Sequence, residues 1–276
     1  MSNRVWLITG ASRGIGAEIA RAVLASGDRL IATSRDVGGL AHLGTAENLF
    51  CAALDVEDES HAQRAVQASL ARFGRIDILV NNAGICLLGA VEEAGAQEVE
   101  RLYRTNVFGL LNVTRAVLPS MRQRKSGHII NISSVAGYSG YAGFGIYSST
   151  KFAVEGLSEA LHLELAPLGI HVTVVEPGFF RSDILDNGRS LIESSERIAD
   201  YDATAGAVRA IVPALSHHQP GDPVKLATAI LKLAEVSNPP LRLPLGPDTL
   251  SRMADKNAVV ERETATWREL AASTNY

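Results

Sequence analysis

Residues 5–16 read VWLITGASRGIG, an apolar run that passes into a glycine-rich turn. The apolar run is typical of a buried β-strand. Ile15, Ile19 and Val23 then recur at intervals of four residues, which indicates a helix after the turn. Glycines permit a tight turn and close approach of the backbone, and a helix N-terminus offers free N–H groups to a pyrophosphate. A turn with only a folding role is the alternative, but its place between a first strand and a first helix favours nucleotide binding.

Short apolar runs alternate with longer helical patterns along the rest of the chain. This alternation predicts a doubly wound parallel sheet of βαβ units, and therefore an α/β fold with one domain over residues 1–276. The predicted strands are nearly continuous apolar runs, as expected when helices cover both faces of the sheet. They lie at 5–9, 30–34, 50–54, 76–81, 128–133, 172–176 and 241–245. Helices are predicted after the glycine turn and at 60–73, 97–124, 147–168 and 224–236.

Two stretches depart from this alternation. Residues 178–222 are polar in places but carry scattered apolar side chains, so we expect a partly helical substrate lid that folds onto the domain. Residues 246–276 mix charged with apolar residues, and we expect a helical C-terminal tail.

Composition excludes several classes of partner. The 276 residues are 46% hydrophobic, and their net charge of −4 provides no electrostatic reason to expect binding to nucleic acid or an anionic membrane. We find no secretory signal and no apolar run near the ~20 residues that span a bilayer. Cys51 and Cys86 lack a metal-type spacing, and His217 and His218 fit a solvated turn. We therefore expect a cytoplasmic protein with reduced thiols, no metal site and a small-molecule substrate.

Tyr147 and Lys151 are four residues apart, and Ser134 lies upstream of them. Residues with this spacing share one face of a helix. A phenol has a reference pKa of about 10, and a cation beside it favours the phenolate. With Ser134 orienting a substrate oxygen, the trio is suited to moving a proton on or off a carbonyl or alcohol oxygen. Considered alone, this spacing arises easily by chance and favours an ordinary exposed helix pair.

The motifs together resemble those of the short-chain dehydrogenase/reductase family. Residues 9–16 are similar to the family's Thr-Gly-x-x-x-Gly-x-Gly turn, and residues 81–84 (NNAG) follow the fourth predicted strand as in the family. The resemblance covers roughly residues 4–245 and implies a Rossmann-like fold, a nicotinamide cofactor and oxidoreductase activity. It continues through Asn106, Ser134, Tyr147, Lys151, Pro177 and Gly178.

The resemblance also implies which residues bind the cofactor. Asp55 would meet the adenine amino group with Val56 packed beside it, and Ser182 stands where the family commonly has a threonine near the carboxamide. The residues implied to line the pyrophosphate, the riboses and the nicotinamide are Gly10, Ser12, Arg13, Gly14, Ile15, Gly16, Asn82, Ala83, Gly84, Tyr147, Lys151, Pro177, Gly178 and Phe180.

Catalytic roles are carried over in the same way. The resemblance implies that Tyr147 is the general acid in reduction and the base in oxidation. Lys151 would bind the nicotinamide ribose and support Tyr147 electrostatically, and Ser134 would orient the substrate oxygen. Asn106 would hold a water that links Lys151 to solvent.

Cofactor choice depends on the end of the second strand. Ser34 stands where an acidic residue would indicate NAD, Arg35 follows it, and Arg13 lies in the glycine turn. Two arginines can bind the 2′-phosphate of NADP through charge-assisted bonds, which favours NADP while NAD stays possible. The alternative is that both arginines are solvated, and Asp36 would reach the ribose if the strand ended later.

We therefore expect an NADPH-preferring enzyme that reduces an apolar ketone or aldehyde, or oxidises the corresponding alcohol. The alternatives are an NAD-dependent alcohol dehydrogenase and a catalytically silent NADP-binding sensor or scaffold. The complete set of Asn106, Ser134, Tyr147 and Lys151 disfavours the silent protein. The expected pocket residues are Cys86, Leu87, Tyr138, Tyr141, Phe179, Phe180, Ile184 and Leu185.

The long helix predicted at 97–124 carries apolar residues on more than one face. In the family the equivalent helix often pairs with a second subunit, so the resemblance implies a homo-oligomer, a dimer or a tetramer.

Overall fold

The computed structural model describes residues 3–276. Its strands are β1 (Val5–Ile8), β2 (Arg29–Ser34), β3 (Leu49–Ala53), β4 (Ile78–Asn81), β5 (Cys86–Leu88), β6 (Gly127–Ile132), β7 (Ile170–Pro177), β8 (Leu191–Glu193) and β9 (Arg242–Leu245). Seven of them form one parallel sheet in the order β3-β2-β1-β4-β6-β7-β9, and β5 pairs with β8 in a small second sheet.

Helices connect these strands. The α-helices are α1 (Gly14–Ala25), α2 (Glu59–Phe73), α3 (Ala96–Tyr103), α4 (Gly109–Arg124), α5 (Gly145–Leu165), α6 (Ala207–Leu215), α7 (Pro223–Glu235), α8 (Pro247–Thr266) and α9 (Arg268–Ala272). Short 3₁₀ segments lie at Val37–Leu43, Val135–Gly137, Ala166–Leu168, Asp183–Leu185 and Ala199–Tyr201, and π-helical turns at Arg104–Phe108 and Asp202–Gly206. Within residues 3–276, no helix combines the length and the apolar character that crossing a membrane requires.

Alternation along β1 divides the core into two layers, because successive side chains of a strand point to opposite faces of the sheet. Trp6 and Ile8 pack in a cluster with α1 and α7, whereas Val5 and Leu7 pack in a cluster with α2 and α4. These side chains are fully buried, and burying one of this size contributes about 1.5–3 kcal/mol. The prediction of a doubly wound parallel sheet is confirmed.

The predicted long helical stretch at 97–124 is confirmed, since residues 96–124 are helical without a break. Its geometry changes at the π-helical turn Arg104–Phe108, which lies between α3 and α4. The sequence did not predict β5 and β8, because three-residue strands are too short to show a periodicity. Residues 178–222 are partly helical as expected, and residues 246–276 form the predicted helical tail.

Besides its two ends, the lid contacts the rest of the domain through β8 and α6. β8 pairs along β5, and α6 places Arg209 against Glu93 in a buried ion pair with side chains 6% and 1% exposed. The Glu93 carboxylate also accepts hydrogen bonds from the backbone N–H groups of Ala90 and Ile198. The part of the lid from β8 to α6 is therefore anchored to the loop after β5.

We predict that Arg209→Met lowers the free energy of unfolding by about 3–5 kcal/mol, because it leaves the Glu93 charge buried without its cation. Urea unfolding measures this loss. The matched control is Arg197→Met, which removes a pair with Glu193 in which the arginine side chain is 59% exposed. That change should cost less than about 1 kcal/mol. Equal losses in the two variants would show that the buried pair does not anchor the lid.

Candidate active site

A cavity of about 590 Å³ opens where the parallel strands end. Its walls come from the segments that follow β1, β2, β3, β4, β6 and β7, together with part of the lid. β1 and β4 are neighbours in the sheet, and the helices that follow them lie on opposite faces, so a crevice opens between their ends. Ligands of open α/β sheets bind in this kind of crevice. Every predicted site residue lines the cavity except Gly16 and Asn106, which lie directly behind its wall.

The glycine turn needs its glycines for two physical reasons. Gly10 and Gly14 have φ angles of +67° and +54°, a region that residues with a Cβ atom rarely adopt. A Cβ atom on Gly16 would lie 2.4 Å from both the Gly10 carbonyl oxygen and the Asn82 Nδ2. Asn82 in turn donates hydrogen bonds to the carbonyls of Thr9 (2.9 Å) and Gly10 (3.1 Å). The turn after β1 is thus held from the end of β4.

The adenine side of the predicted site is also tied to neighbouring elements. Asp55 accepts a hydrogen bond from the Glu57 N–H at 3.1 Å. The carbonyl of the buried Val56 accepts from Asn112 Nδ2 on α4 at 3.0 Å. Their contact with an adenine stays a prediction.

The end of β2 brings Ser34, Arg35 and Asp36 to the cavity wall. β2 ends at Ser34, as predicted. The Asp36 carboxylate caps the following 3₁₀ segment by accepting from the Gly38 N–H at 2.9 Å. Arg35 is exposed at the rim. The sequence left open that Asp36 would reach a ribose if β2 ended later. The strand does not extend that far, and the Asp36 carboxylate accepts a backbone hydrogen bond instead.

Arg13 contacts the lid. Its Nη2 donates to Ser190 Oγ at 2.9 Å, and its Nε lies 3.8 Å from Asp183 Oδ2. Sequence position alone placed Arg13 beside Arg35 as a phosphate ligand, but a guanidinium pairs with an adjacent carboxylate, and the lid supplies one.

His217 and His218 lie exposed in a turn, as predicted, but His217 also contacts two carboxylates of the lid. Its Nε2 lies 2.8 Å from Asp186 Oδ1 and 3.9 Å from Asp183 Oδ1. The lid fold brings these carboxylates to a histidine that lies some 30 residues further along the chain, so local sequence did not indicate the contact.

Ser134, Tyr147 and Lys151 meet on the opposite wall. Ser134 follows β6 and accepts a hydrogen bond from the Ala136 N–H at 3.1 Å, and the other two lie on the first turns of α5. Lys151 Nζ donates to the Ile132 carbonyl at 2.9 Å and lies 5.8 Å from the centroid of the Tyr147 ring. The structure therefore brings the predicted trio together.

Burial dominates the protonation of this trio. It raises the pKa of the Tyr147 phenol above its ordinary value, the charge of Cys86 acts in the same direction, and a hydrogen bond with Ser134 lowers it. Burial lowers the pKa of Lys151 to about 8, against the opposing charges of Cys86 and Glu155. The expectation that Lys151 would bring the phenol pKa down is therefore wrong, because burial of the phenol dominates its pKa.

Asn106 lies in the π-helical turn and joins the segment between β4 and β5 to helix α5. Its Oδ1 accepts from the Ile85 N–H at 2.9 Å, and its Nδ2 donates to the Ile85 carbonyl at 2.9 Å and to Thr150 Oγ1 at 3.1 Å. The side-chain amide has this structural role, which the sequence did not predict. Its role in holding a water stays a prediction.

The substrate wall agrees only partly with expectation. Leu87 packs with Ile85 and Leu102, because alternation along β5 turns it away from Cys86. Tyr138 does not line the cavity either, since its hydroxyl donates to Asn257 on α8. The cavity is lined by Cys86, Tyr141, Phe179, Phe180, Ile184 and Leu185 of the expected set, and by Phe144, which was missed.

Helix α8, the first helix of the C-terminal tail, braces this wall. Arg252 donates to Ser139 Oγ (2.9 Å) and to the Gly140 carbonyl (3.1 Å), and its guanidinium lies 4.7 Å from the centroid of the Tyr141 ring. Asp248 accepts from the Phe179 N–H at 2.7 Å. No motif in the sequence signals these contacts, which join segments about 70 to 110 residues apart.

Comparison with known proteins adds to this geometry. Residues 4–191 match the family profile described as short chain dehydrogenase. The chain belongs to the short-chain dehydrogenase/reductase family. It is 39% identical over 271 residues to Oxidoreductase BOA17 of Botryotinia fuckeliana, covering 97% of this chain and 98% of that protein. It is also 39% identical over 248 residues to a 3-ketodihydrosphingosine reductase of Bacteroides thetaiotaomicron, covering 90% and 89%. The protein is thus an oxidoreductase of this family.

Solved structures agree with this assignment. A short-chain dehydrogenase from Streptomyces avermitilis superposes over the whole of both chains with a TM-score of 0.92 and 41% identity. A family member from Burkholderia phymatum, in complex with NAD, has a TM-score of 0.82 and 25% identity over 95% of this chain and 97% of its own. ElxO with NADP bound has a TM-score of 0.73 and 28% identity over 91% and 100%. These complexes support a nicotinamide cofactor without deciding between the two.

We predict that Arg252→Ala loosens residues 138–141. Losing two charged hydrogen bonds and a cation–π contact at a partly exposed site should lower the free energy of unfolding by about 1–2 kcal/mol. Hydrogen exchange of residues 138–141 should become faster. Arg262→Ala, further along α8 on its exposed part, is the control, with an expected change within about 0.5 kcal/mol. Unchanged exchange at 138–141 in the Arg252 variant would contradict the bracing role of α8.

Proposed function

We propose that this protein is an NADPH-preferring carbonyl reductase that acts on an apolar ketone or aldehyde, with alcohol oxidation as the reverse reaction. The observation that carries the proposal is the convergence of Ser134, Tyr147 and Lys151 on a cavity whose opposite wall is the glycine turn. The nicotinamide cofactor supplies the hydride when it is bound. The chain supplies position and protons.

The residues around the glycine turn fit a dinucleotide. No side chain caps the N-terminus of α1, so its first N–H groups are open to an anion at the cavity. The glycines keep the backbone free of Cβ atoms where a pyrophosphate would approach. Residues 10–16 would hold the pyrophosphate, Asp55 and Val56 the adenine, and residues 82–84 the adenosine ribose. Pro177, Gly178, Phe180 and Ser182 would line the nicotinamide end.

The protonation of the site supports reduction. Because burial raises the pKa of Tyr147, the phenol stays protonated at neutral pH and can donate to a carbonyl oxygen. Ser134 would orient that oxygen through its hydroxyl. The Lys151 ammonium would stabilise the phenolate left after donation, and with a pKa of about 8 it loses its charge as the pH rises through that value.

The end of β2 supports NADP. The strand ends at Ser34, a neutral residue, where an acidic residue would bind the ribose hydroxyl of NAD, and one oxygen of the Asp36 carboxylate that follows accepts from the Gly38 N–H. Arg35 is exposed there and can supply charge-assisted bonds. Arg13 would contribute only after leaving its contacts with Asp183 and Ser190.

Apolar and aromatic side chains on the cavity wall support an apolar substrate. Phe144, Ile184 and Leu185 provide apolar surface beside Tyr147, and Tyr141 and Phe179 meet edge to face with ring centroids 6.3 Å apart. The Bacteroides relative is named for a keto substrate, which agrees in chemical class.

We also propose a homo-oligomer. Phe108, Phe152 and Leu163, from the π-helical turn before α4 and from α5, are 52%, 45% and 74% exposed in the single chain. A second copy covering these two elements would remove that apolar surface from water.

We predict that Tyr147→Phe lowers turnover by about 100- to 10,000-fold, the contribution of a positioned general acid, while cofactor affinity is kept. Loss of NADPH absorbance with a panel of ketones, aldehydes and quinones measures turnover. Tyr103→Phe is the matched control, since Tyr103 bonds Ser149 outside the cavity and should leave turnover near normal. Near-normal turnover in the Tyr147 variant would exclude the proposed acid, and an inactive native protein would favour the sensor.

We predict that NADPH binds more tightly than NADH, and that Arg35→Ala narrows the difference by about 1.5–3 kcal/mol through loss of charge-assisted bonds. Fluorescence titration with both cofactors measures the affinities. Arg21→Ala, which removes an exposed pair with Glu18 on α1, is the control and should leave the ratio unchanged. Equal or tighter NADH binding by the native protein would favour the NAD-dependent alcohol dehydrogenase.

A further inference from the structure

Behind the cavity wall, one arginine faces three carboxylates. Arg242 of β9 donates from Nη1 to Glu155 of α5 and to Glu176 of β7, the latter at 2.7 Å, and from Nη2 to Glu159. The side chains of Glu155 and Glu176 are 6% and 0% exposed, whereas that of Glu159 is 53% exposed. Glu155 and Glu176 are therefore the two buried carboxylates of the three, and they are here termed the carboxyl pair.

The carboxyl pair carries more negative charge than its surroundings compensate. One guanidinium serves both carboxylates and is shared with Glu159. Glu176 Oε2 is buried and receives no hydrogen bond from any residue in 3–276. Two ionised carboxylates in one buried site disfavour each other, and a single proton between them removes the repulsion and supplies the missing bond.

The pair lies next to the proposed catalytic residues. Glu155 follows Lys151 by one turn of α5, so their side chains share a face of the helix. Glu176 directly precedes Pro177 at the cavity edge. A Cβ atom on Gly137 would lie 3.0 Å from the Lys151 carbonyl oxygen and 3.1 Å from Glu155 Cγ. The turn after Ser134 therefore packs against both.

We propose that Glu155 and Glu176 share one proton, and that the negative charge left on the carboxyl pair stabilises the Lys151 ammonium. Neither residue lines the cavity, so both are positioning residues. The link to catalysis rests on the proposed function, whereas the shared proton and the charge of Lys151 do not.

Electrostatics of the surrounding groups agree with this assignment. Burial raises the pKa of Glu176 to about 7, the charge of Glu155 adds to that rise, and Arg242 opposes it. Burial also raises the pKa of Glu155, with Ser133 and Arg242 opposing and Glu159 adding to the rise. The charged or titratable groups acting on Lys151 are Cys86 and Glu155. As the pH rises through 7, the pair becomes more negative just below the pH at which Lys151 begins to lose its proton.

Infrared titration of the carboxylic acid C=O stretch tests the shared proton without any assay of activity. The native protein should show one buried carboxyl group that titrates near pH 7. Both Glu155→Gln and Glu176→Gln should remove this titration, because the carboxylate that remains keeps Arg242 and loses its buried like-charged neighbour. Glu159→Gln, which acts on the same arginine from the exposed side, should leave it in place. If Glu155→Gln leaves Glu176 titrating near pH 7, burial alone raises that pKa and the shared proton is excluded.

Stability provides a second activity-independent readout. A carboxyl group whose pKa is raised on folding stabilises the protein fully below its unfolded pKa of about 4.3, and that contribution is lost as the pH rises through about 7. Both single Gln variants should therefore flatten the fall in urea stability between these values. A fall of native steepness in both variants would overturn the proposal.

The effect on Lys151 is read by ¹³C NMR of labelled lysine. The lysine that titrates near pH 8 should shift to a pKa lower by about 1 unit in Glu155→Gln, should recover in Glu155→Asp, and should not move in Glu159→Gln. The alkaline limb of kcat/KM should move by the same amount. An unshifted lysine would overturn the positioning role, whereas a shifted lysine in a protein that reduces no carbonyl would contradict only the proposed function.

Discussion

The side-chain amide of Asn82 joins the ends of β1 and β4, two neighbouring strands at the centre of the sheet. β1 and β4 are neighbours in the sheet, and the connections after them run to opposite faces, so their ends open a crevice. Asn82 closes the base of that crevice by bonding the carbonyls of Thr9 and Gly10, and its backbone N–H bonds Thr9 Oγ1. The glycine turn can then approach a ligand with its backbone, because its own shape is held from β4.

Buried amides continue this connection to the wall that carries Ser134, Tyr147 and Lys151. Asn81 donates to Asn131 Oδ1 of β6, and Asn131 donates to Ser158 Oγ of α5, each at 2.9 Å. From the other side, Asn106 bonds the Ile85 peptide and Thr150, which precedes Lys151. Bonds of this kind are strong inside a protein, and leaving one unmade costs about 1–3 kcal/mol. The glycine turn and the first turns of α5, which carry Tyr147 and Lys151, are therefore connected through polar side chains in the core.

Local patterns were enough to predict the sheet and most of the site. Continuous apolar runs identified the seven strands of the main sheet, and the glycine turn identified its first crossover. Contacts between distant segments could not be predicted in this way. Arg13 pairs with the lid, and Arg252 of α8 holds residues 138–141, because tertiary folding brings together groups that no spacing in the chain relates. β5 and β8 were not predicted, because a strand of three residues is too short to show an alternation of apolar and polar side chains.

The spacing of Tyr147 and Lys151 correctly placed a cation beside a phenol, but spacing carries no information about water. Once both groups are buried, desolvation raises the pKa of the tyrosine and lowers that of the lysine, so each is driven toward its neutral form. A neutral phenol suits proton donation, whereas a neutral lysine does not suit the stabilisation of the phenolate that donation leaves. Negative charge near a buried lysine therefore favours its charged form. The charge of Glu155, one turn along the same helix, raises the pKa of Lys151 against the effect of burial.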